Sequence, residues 1–431
     1  MEFHDILHGH IRIDDREMAE FLEDLLESPE VHRLRNMRQM NFDVPLIQEL
    51  GRSRRLPHSI GVAHLAYKMS EGVNMHKVAR KSLVAAALLH DAAIPPFGHL
   101  VESELKAMDP EFSHEHRLKN LIFGLDGKSN KYRYVVHGKS TDLINIFNRH
   151  DVNALDVLRL VCPPSGGNII SSGIDIDNID NVHRMACMLG WHEARENMNR
   201  LLERSALTQE MELVFDPSAE EFIKRWMHYR SRIYTMIIAH PQCIAHNALQ
   251  ADLARLAVDG GLITSDDWQM TEPEFEQLLR NDPRTGELAW QLISGCEYVL
   301  EDYVWFKNYE KPLKLSNKEI ARRFSASIDV GSGHSIFVWN ENGLISRRLA
   351  IKSTSGTLIE IGESSRSCMV ALVRTRRGRK AKVQKKNPQW RRMVVSEFSE
   401  LIGDEFIDMS FPEDYTGEFR PTSAELKLGY H

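Results

Sequence analysis

Histidine and aspartate stand side by side where a strongly apolar segment of the chain ends. The stretch AALLHDAAIPPFGH, residues 86–99, places His90 and Asp91 directly after a run of alanine and leucine. Neighbouring side chains on a helix point about 100° apart, so these two cannot both face one apolar core. Two adjacent polar groups at a helix end can instead share one cation. A lone His-Asp pair is common, so the stretch indicates a metal site only in combination with further ligands elsewhere in the chain.

An upstream histidine and a downstream acidic segment can complete such a site. His58 follows a proline near a predicted helix start, and the segment GIDIDNIDNVHR offers Asp175, Asp177 and Asp180 in one short stretch. Imidazoles combined with carboxylates suit a first-row divalent metal, or Mg²⁺ with fewer imidazoles, and leave positions for water and substrate. For Asp175 we prefer a simpler role, the stabilisation of a helix N-terminus through the helix dipole.

Apolar residues at helical spacing dominate the first three quarters of the chain. The segment 76–90 is fully apolar in its last two turns, as expected of a central buried helix. Pro95 and Pro96 end that helix, because proline lacks an amide donor and restricts the residue before it. His64, on an otherwise apolar helical face, is predicted to be a core histidine. Helices are predicted at 14–40, 56–72, 76–90, 142–160, 175–190, 194–205, 218–258 and 285–306.

The pattern changes after residue 320. The segment SASIDVGSGHSIFVWNENGLISRRLAIKS alternates apolar and polar residues around Gly and Asn, which is typical of strands. We therefore predict a mostly α protein, with a large helical domain over 1–312 and a smaller α+β domain over 313–431. The basic run at 374–386 is most simply a solvated loop or edge strand. A contact with nucleic acid or an effector nucleotide is the alternative.

The composition is that of an ordinary globular protein. Of the 431 residues, 42% are hydrophobic and 27% are charged, and the formal net charge of -7 gives no general attraction to nucleic acid or membranes. The five cysteines contain no CxxC pair, which argues against a disulfide framework and a cysteine zinc site. The polar N-terminus MEFHDILHGH and the lack of a run of about 20 apolar residues lead us to expect a cytoplasmic protein that does not enter a membrane.

Seven motifs resemble, in the same order, those of the HD-domain deoxynucleoside triphosphate triphosphohydrolases. That family contains the dGTPases and the sterile-alpha-motif/HD-domain enzymes. The resemblance extends from the N-terminus to about residue 310 and implies a helical HD-domain core. The motifs are DILHGHI (5–11), SPEVHRLRNMRQM (28–40), RLPHSIGVAHLA (55–66), AALLHDAAIPPFGHLVE (86–102), FSHEHRL (112–118), GIDIDNID (173–180) and RSRIYTMIIAHP (230–241).

The resemblance implies a metal-binding group and a catalytic group. The divalent ion, one of Mn, Mg, Fe, Co or Ni, would be held by His58, His90, Asp91 and Asp177. The catalytic residues would be His99, Glu102 and His114. Positions i and i+3 on one helix are neighbours, and a carboxylate there can orient an imidazole and stabilise its charged form.

The resemblance also implies contacts with a nucleotide substrate. Guanidinium groups bind phosphate through paired donors, and a glutamine would lie near the 3′-hydroxyl of the sugar. The matching residues are Gln39, Arg55 and Arg230.

The chain departs from the family pattern at several substrate-contacting positions. Ile94 replaces a histidine, and Asn178 replaces a lysine next to the triphosphate. A tyrosine and an aspartate are replaced by Asn181 and Met185, and the tyrosine that packs under the deoxyribose by Ile238. The metal ligands and the His-Glu pair are retained, whereas recognition of the sugar and the triphosphate is left open.

The sequence is compatible with three functions. The resemblance implies attack at the α-phosphorus of a deoxynucleoside triphosphate, which gives a deoxynucleoside and inorganic triphosphate, in a homo-oligomer activated by a nucleotide effector. The second is an HD-domain phosphatase or phosphodiesterase that acts on a phosphomonoester, a cyclic nucleotide or a nucleic-acid end. The third is a nucleotide sensor without catalysis. The retained ligands and catalytic pair count against the sensor, which has no chemical need for them.

Overall fold

The chain forms two compact units in a computed structural model. It describes residues 1–41, 44–125, 135–136, 138–163, 167–309, 311–331, 333–342, 345, 347–362, 366–375, 387–403 and 408–415. The first unit consists of Met1–Trp226, Leu249–Cys296 and Leu349–Gly362. The second consists of Met227–Ala248, Glu297–Arg348 and the described part of Glu363–His431. The division at residue 312 stays a prediction.

The fold is mostly helical, which confirms the predicted class. The helices of the described residues are α1 Arg16–Leu26, α2 Pro29–Arg33, α3 Gln48–Arg52, α4 Arg55–Glu71, α5 Lys77–Leu89, α6 His99–Met108, α7 His114–Phe123, α8 Leu143–Arg149, α9 Ala154–Val161, α10 Ile176–Met188, α11 Glu193–Glu203, α12 Glu220–Ala239, α13 Pro241–Asp259, α14 Glu272–Asn281, α15 Gly286–Ser294, α16 Asn317–Ser327 and α17 Pro388–Ile402. Across the described part of the chain, no helix is both long and apolar enough to cross a bilayer.

The strands form short hairpins and one larger sheet. They are β1 Glu2–Asp5, β2 Gly9–Arg12, β3 Val135–Val136, β4 Lys139–Ser140, β5 Ser205–Leu207, β6 Leu213–Phe215, β7 Val299–Tyr309, β8 His334–Asn342, β9 Leu349–Lys352, β10 Leu358–Ile361, β11 Arg366–Arg374 and β12 Asp408–Ser410. β1 and β2 pair in an antiparallel N-terminal hairpin, in which Asp5 is paired with Gly9 next to the turn.

The helix α5 is the central element of the first unit. Its last seven residues, Leu83–Leu89, are buried, and the helix ends there, with His90 as its C-terminal cap. The two prolines separate it from α6, which begins at His99. Phe97 (φ 58°) lies in the left-handed region that side chains rarely adopt, and Gly98 (φ 52°, ψ -132°) follows it. This turn changes the direction of the chain, so α6 is a separate helix and not a continuation of α5.

The second unit contains a four-stranded antiparallel sheet in the order β12-β7-β11-β8. Helices α16 and α17 cover one face, where Phe324 and Phe398 pack with Phe306 and Val370 in a common core. The helix predicted over 285–306 is wrong in its second half, because α15 ends at Ser294 and β7 begins at Val299. A strand buried on both faces lacks the polar alternation that marks a strand in the sequence.

Replacement of Phe398 by alanine tests this core. Its ring stacks on Phe306 with 3.8 Å between centroids, and it is fully buried. We expect Phe398→Ala to lower the free energy of unfolding by about 3–5 kcal/mol, because the change removes contacts and leaves a cavity. Urea unfolding followed by circular dichroism measures this. Ser396→Ala, at an exposed position of the same helix, is the control, with an expected change below about 0.5 kcal/mol. A loss below about 1 kcal/mol in Phe398→Ala would contradict the packing.

Candidate metal centre and catalytic group

Three of the four predicted metal ligands come together in the first unit. Ligand atoms of His58, His90 and Asp177 all lie within 4.8 Å of one another. The first turn of α4, the end of α5 and the first turn of α10 supply them. Oδ1 of Asp177 lies 2.9 Å from Nε2 of His58 and 3.6 Å from Nε2 of His90. Three helix ends therefore direct two imidazoles and a carboxylate to one point.

The hydrogen bonds of the two rings fit a divalent cation. Nδ1 of His90 donates to the carbonyl oxygen of Ala87 at 2.8 Å, and its buried Nε2 has no hydrogen-bond partner. Nδ1 of His58 donates to the carboxylate of Asp180 at 2.7 Å. Metal-binding histidines commonly donate their second ring nitrogen to a carbonyl or a carboxylate in this way. Each Nε2 is thereby directed into the site as a ligand atom.

Asp91 lies beside this group and connects it to an arginine. Its Oδ2 is 3.7 Å from Nε2 of His90 and 2.5 Å from the guanidinium of Arg55. Arg55 is itself buried, with 7% of its surface exposed. The structure thus places the predicted phosphate-binding arginine against a predicted ligand. The roles of both residues stay predictions.

The charges of the site raise the pKa of the imidazoles and lower that of the carboxylates. Burial lowers the pKa of His90, but the charges of Asp91 and Asp177 outweigh it and raise this pKa to about 10. Burial raises the pKa of Asp91, but the Arg55 guanidinium and the nearby imidazoles hold it well below its usual range. Without a metal, protons on the rings balance the carboxylates. A bound cation takes the place of those protons, because a ligating imidazole must be neutral.

The predicted catalytic residues form a second group around one carboxylate. Oε2 of Glu102 accepts a hydrogen bond from Nδ1 of His99 at 2.8 Å. Oε1 accepts from Nδ1 of His114 at 2.8 Å and from its backbone amide at 3.0 Å. Burial raises the pKa of Glu102, but the hydrogen bonds from His114 and His99 outweigh it and hold this pKa well below its usual range. The His99 side chain is 76% exposed, so the held ring faces solvent. This arrangement suits an imidazole that exchanges a proton with a substrate.

Positions that depart from the family pattern have other partners. Asn178 is used in the N-terminal cap of α10, where its amide groups bond to Asp175. Asp175 is the N-cap residue of this helix, as predicted. Asn181 accepts a hydrogen bond of 3.4 Å from Gln39, and Ile94 is fully buried. The positive charge and the histidine of the family pattern thus have no counterparts at these positions.

The remaining predicted residues lie as follows. Arg230 is buried in the second unit, with its guanidinium 4.7 Å from the ring centre of Tyr234, and its phosphate contact stays a prediction. His64 is outside the ligand group and packs edge-on against His8. Residues 376–386 of the basic run lie outside the described part of the chain.

Sequence reasoning named Asp180 only as one of three acidic candidates for the metal site and missed its role behind the ligand group. Asp180 is fully buried and bonds to His58, His8 and Arg184. Its spacing contained a signal, because position i+3 from Asp177 lies one turn further along the same helix. Its partner His8 lies in the motif DILHGHI, but the separation of 172 positions gave no sign that the two residues meet.

Comparison with known proteins identifies the domain around the ligand group. The family model described as HD domain matches residues 55–185. This range contains every residue of the ligand group and the group around Glu102.

Three curated relatives are similar to parts of this chain at 25–28% identity. The uncharacterized protein MJ1154 of Methanocaldococcus jannaschii is 25% identical over 241 residues, which cover 55% of this chain and 45% of that protein. The uncharacterized protein YwfO of Bacillus subtilis is 25% identical over 244 residues, covering 56% and 52%. The deoxynucleoside triphosphate triphosphohydrolase SAMHD1 homolog of Dictyostelium discoideum is 28% identical over 120 residues, covering 26% and 22%.

Each of these matches covers only part of both chains. The chain spans about half the length of the first two relatives. The match to the Dictyostelium protein covers a smaller part of both chains and supports the domain rather than its substrate. The chain carries an HD domain over residues 55–185.

Proposed function

We propose that the protein hydrolyses deoxynucleoside triphosphates to a deoxynucleoside and inorganic triphosphate, with a divalent metal ion at His58, His90, Asp177 and Asp91. The observation that carries the proposal is the buried, unpartnered Nε2 of His90, which faces two carboxylates. The exposed, carboxylate-held ring of His99 adds the proton-transfer group. The substrate class rests on the seven motifs that resemble those of the HD-domain deoxynucleoside triphosphate triphosphohydrolases.

The residues of this chain divide the work of such a hydrolysis. A divalent ion at the site supplies Lewis-acid polarisation of a phosphate oxygen. Arg55, held in place by Asp91, presents guanidinium donors that neutralise charge on a phosphate. His99 transfers a proton at Nε2, because Glu102 holds its Nδ1–H and fixes the orientation of the ring. His114 shares the same carboxylate and keeps it fixed.

A different phosphorylated substrate is the second candidate. The buried Ile94 and the capping side chain of Asn178 supply no positive charge to a triphosphate. Positive groups stabilise the charge that develops in phosphate transfer, so their loss favours a less charged substrate. A phosphomonoester, a cyclic nucleotide or a nucleic-acid end would fit. A sensor that binds nucleotide without turnover is the third.

Turnover of a nucleotide panel separates these functions. We expect inorganic triphosphate from at least one of the four deoxynucleoside triphosphates when Mn²⁺, Mg²⁺, Fe²⁺, Co²⁺ or Ni²⁺ is added. Each other nucleotide is tested as an effector, with light scattering to follow assembly into a homo-oligomer. Inorganic phosphate from a phosphomonoester, or a nucleoside monophosphate from a cyclic nucleotide or a nucleic-acid end, without triphosphate release, would favour the second candidate. Nucleotide binding without any product would favour the sensor.

Replacement of His99 tests the proton-transfer group. We expect His99→Ala to lower kcat by about 10²–10⁴-fold, because the reacting group loses its acid-base partner. The dissociation constant for Mn²⁺ should stay unchanged. His116→Ala is the matched control, because His116 is exposed and lies two positions beyond His114 on α7. Equal activity of His99→Ala and wild type would exclude this role.

Metal binding should release protons. Because the two carboxylates raise the pKa of His90 to about 10, the metal-free ring carries a proton at neutral pH and must lose it to bind metal. The affinity for Mn²⁺ should therefore rise with pH between 6 and 8, by about tenfold per pH unit for each proton released. Titration calorimetry in buffers of different ionisation enthalpy counts the protons. His90→Ala should abolish this binding, whereas His76→Ala, at the exposed start of the same helix, should preserve it. An affinity independent of pH would contradict the assignment.

A further inference from the structure

A fully buried carboxylate connects the ligand His58 to the N-terminal hairpin. Oδ1 of Asp180 accepts a hydrogen bond from Nδ1 of His58, and its Oδ2 accepts one from Nε2 of His8, both at 2.7 Å. His8 lies in the turn between β1 and β2. Its side chain is only 3% exposed, so this contact is shielded from water.

An arginine connects the same carboxylate to the hairpin a second time. Arg184 donates to Oδ1 of Asp180 from Nε at 2.8 Å and to its Oδ2 from Nη2 at 3.0 Å. Its remaining Nη1 donates to Asp5 at 2.6 Å. The second oxygen of Asp5 accepts hydrogen bonds from the backbone amides of Leu7 and His8. The conformation of the turn and the position of Asp180 are therefore set by one hydrogen-bonded network.

The network fits closely against α4. A Cβ atom placed on Gly61 would lie 2.2 Å from Oδ2 of Asp180, 2.5 Å from Arg184 and 2.9 Å from His8. No side chain fits at this position without displacing all three groups. Gly61 is three residues after His58, so the same helix carries the ligand and the surface on which the network rests.

We propose that the β1–β2 turn is a working part of the metal site, in which His8 and Asp5 position Asp180 so that His58 presents Nε2 to the metal. The inference rests on the proposed metal centre, and it is independent of which nucleotide is hydrolysed. His8 and Asp5 are positioning residues, since they act through Asp180. Nothing in the sequence resemblance assigned them this role.

The coupling must act in both directions. If docking of the hairpin raises metal affinity, metal binding must stabilise the docked hairpin by the same factor. Loss of an outer hydrogen-bond partner of a ligating histidine lowers metal affinity by about 10–100-fold. The backbone amides of Leu7 and His8 report on the docked turn, because both bond to Asp5.

Two substitutions of one residue separate positioning from simple packing. His8→Phe keeps a ring but removes the donor to Asp180, and we expect its dissociation constant for Mn²⁺ to rise by about tenfold. His8→Gln keeps a nitrogen donor at similar reach and should remain within about threefold of wild type. His10→Phe is the matched control on the same hairpin, because His10 is exposed and does not touch Asp180. Titration calorimetry with the full chain measures all four proteins.

Hydrogen exchange supplies the second measurement. Deuterium uptake in residues 1–13 should slow when Mn²⁺ is added to wild type, and it should slow less in His8→Phe. If His8→Phe does not fold, Asp5→Asn replaces it, with Asp14→Asn as control at a side chain that is 74% exposed. Equal Mn²⁺ affinity of wild type and His8→Phe, or uptake unaffected by metal, would overturn the inference. A wild type that binds no Mn²⁺ would overturn the metal centre itself, and the inference with it.

Discussion

The first unit must hold two imidazoles and several carboxylates in a buried space, and this electrostatic constraint shapes everything around them. An isolated buried charge costs several kcal/mol unless it is paired and hydrogen-bonded. Asp91 is paired with Arg55, and Asp180 with Arg184. Each pair satisfies its carboxylate from outside the ligand group. What remains inside is the buried Nε2 of His90, the atom that a cation would satisfy.

The polar side chains of the site lie at the ends of helices. The apolar end of α5 brings His90 deep into the unit, and the strained turn at Phe97 and Gly98 starts α6 anew at His99. Helix ends carry free backbone groups, so polar side chains can be satisfied there without breaking a helix. Ala87 does this for His90 through its carbonyl oxygen. The positions of His90 and His99 therefore follow from one interruption of one segment of the chain.

Residues that keep the family pattern and residues that depart from it have different hydrogen-bond partners. Ligand atoms of His58, His90 and Asp177 lie within 4.8 Å of one another, and the carboxylate of Glu102 holds His99 and His114. Around them, Asn178 is occupied in a helix cap and Asn181 is bonded to Gln39. The altered positions thus form hydrogen bonds separate from those that hold His90, His99 and His114.

The sequence by itself determined the mostly helical class and the buried segment that ends at His90, and it predicted three residues that the structure brings together, His58, His90 and Asp177. These features depend on local periodicity, on proline, and on motifs that lie close together in the chain. It predicted a helix across 299–306, because a strand buried on both faces has no alternating pattern. Only the tertiary structure decided that Asp180 holds His58 and that His8 holds Asp180. Those partners lie 122 and 172 positions apart, and no local pattern specifies which side chains meet across such distances.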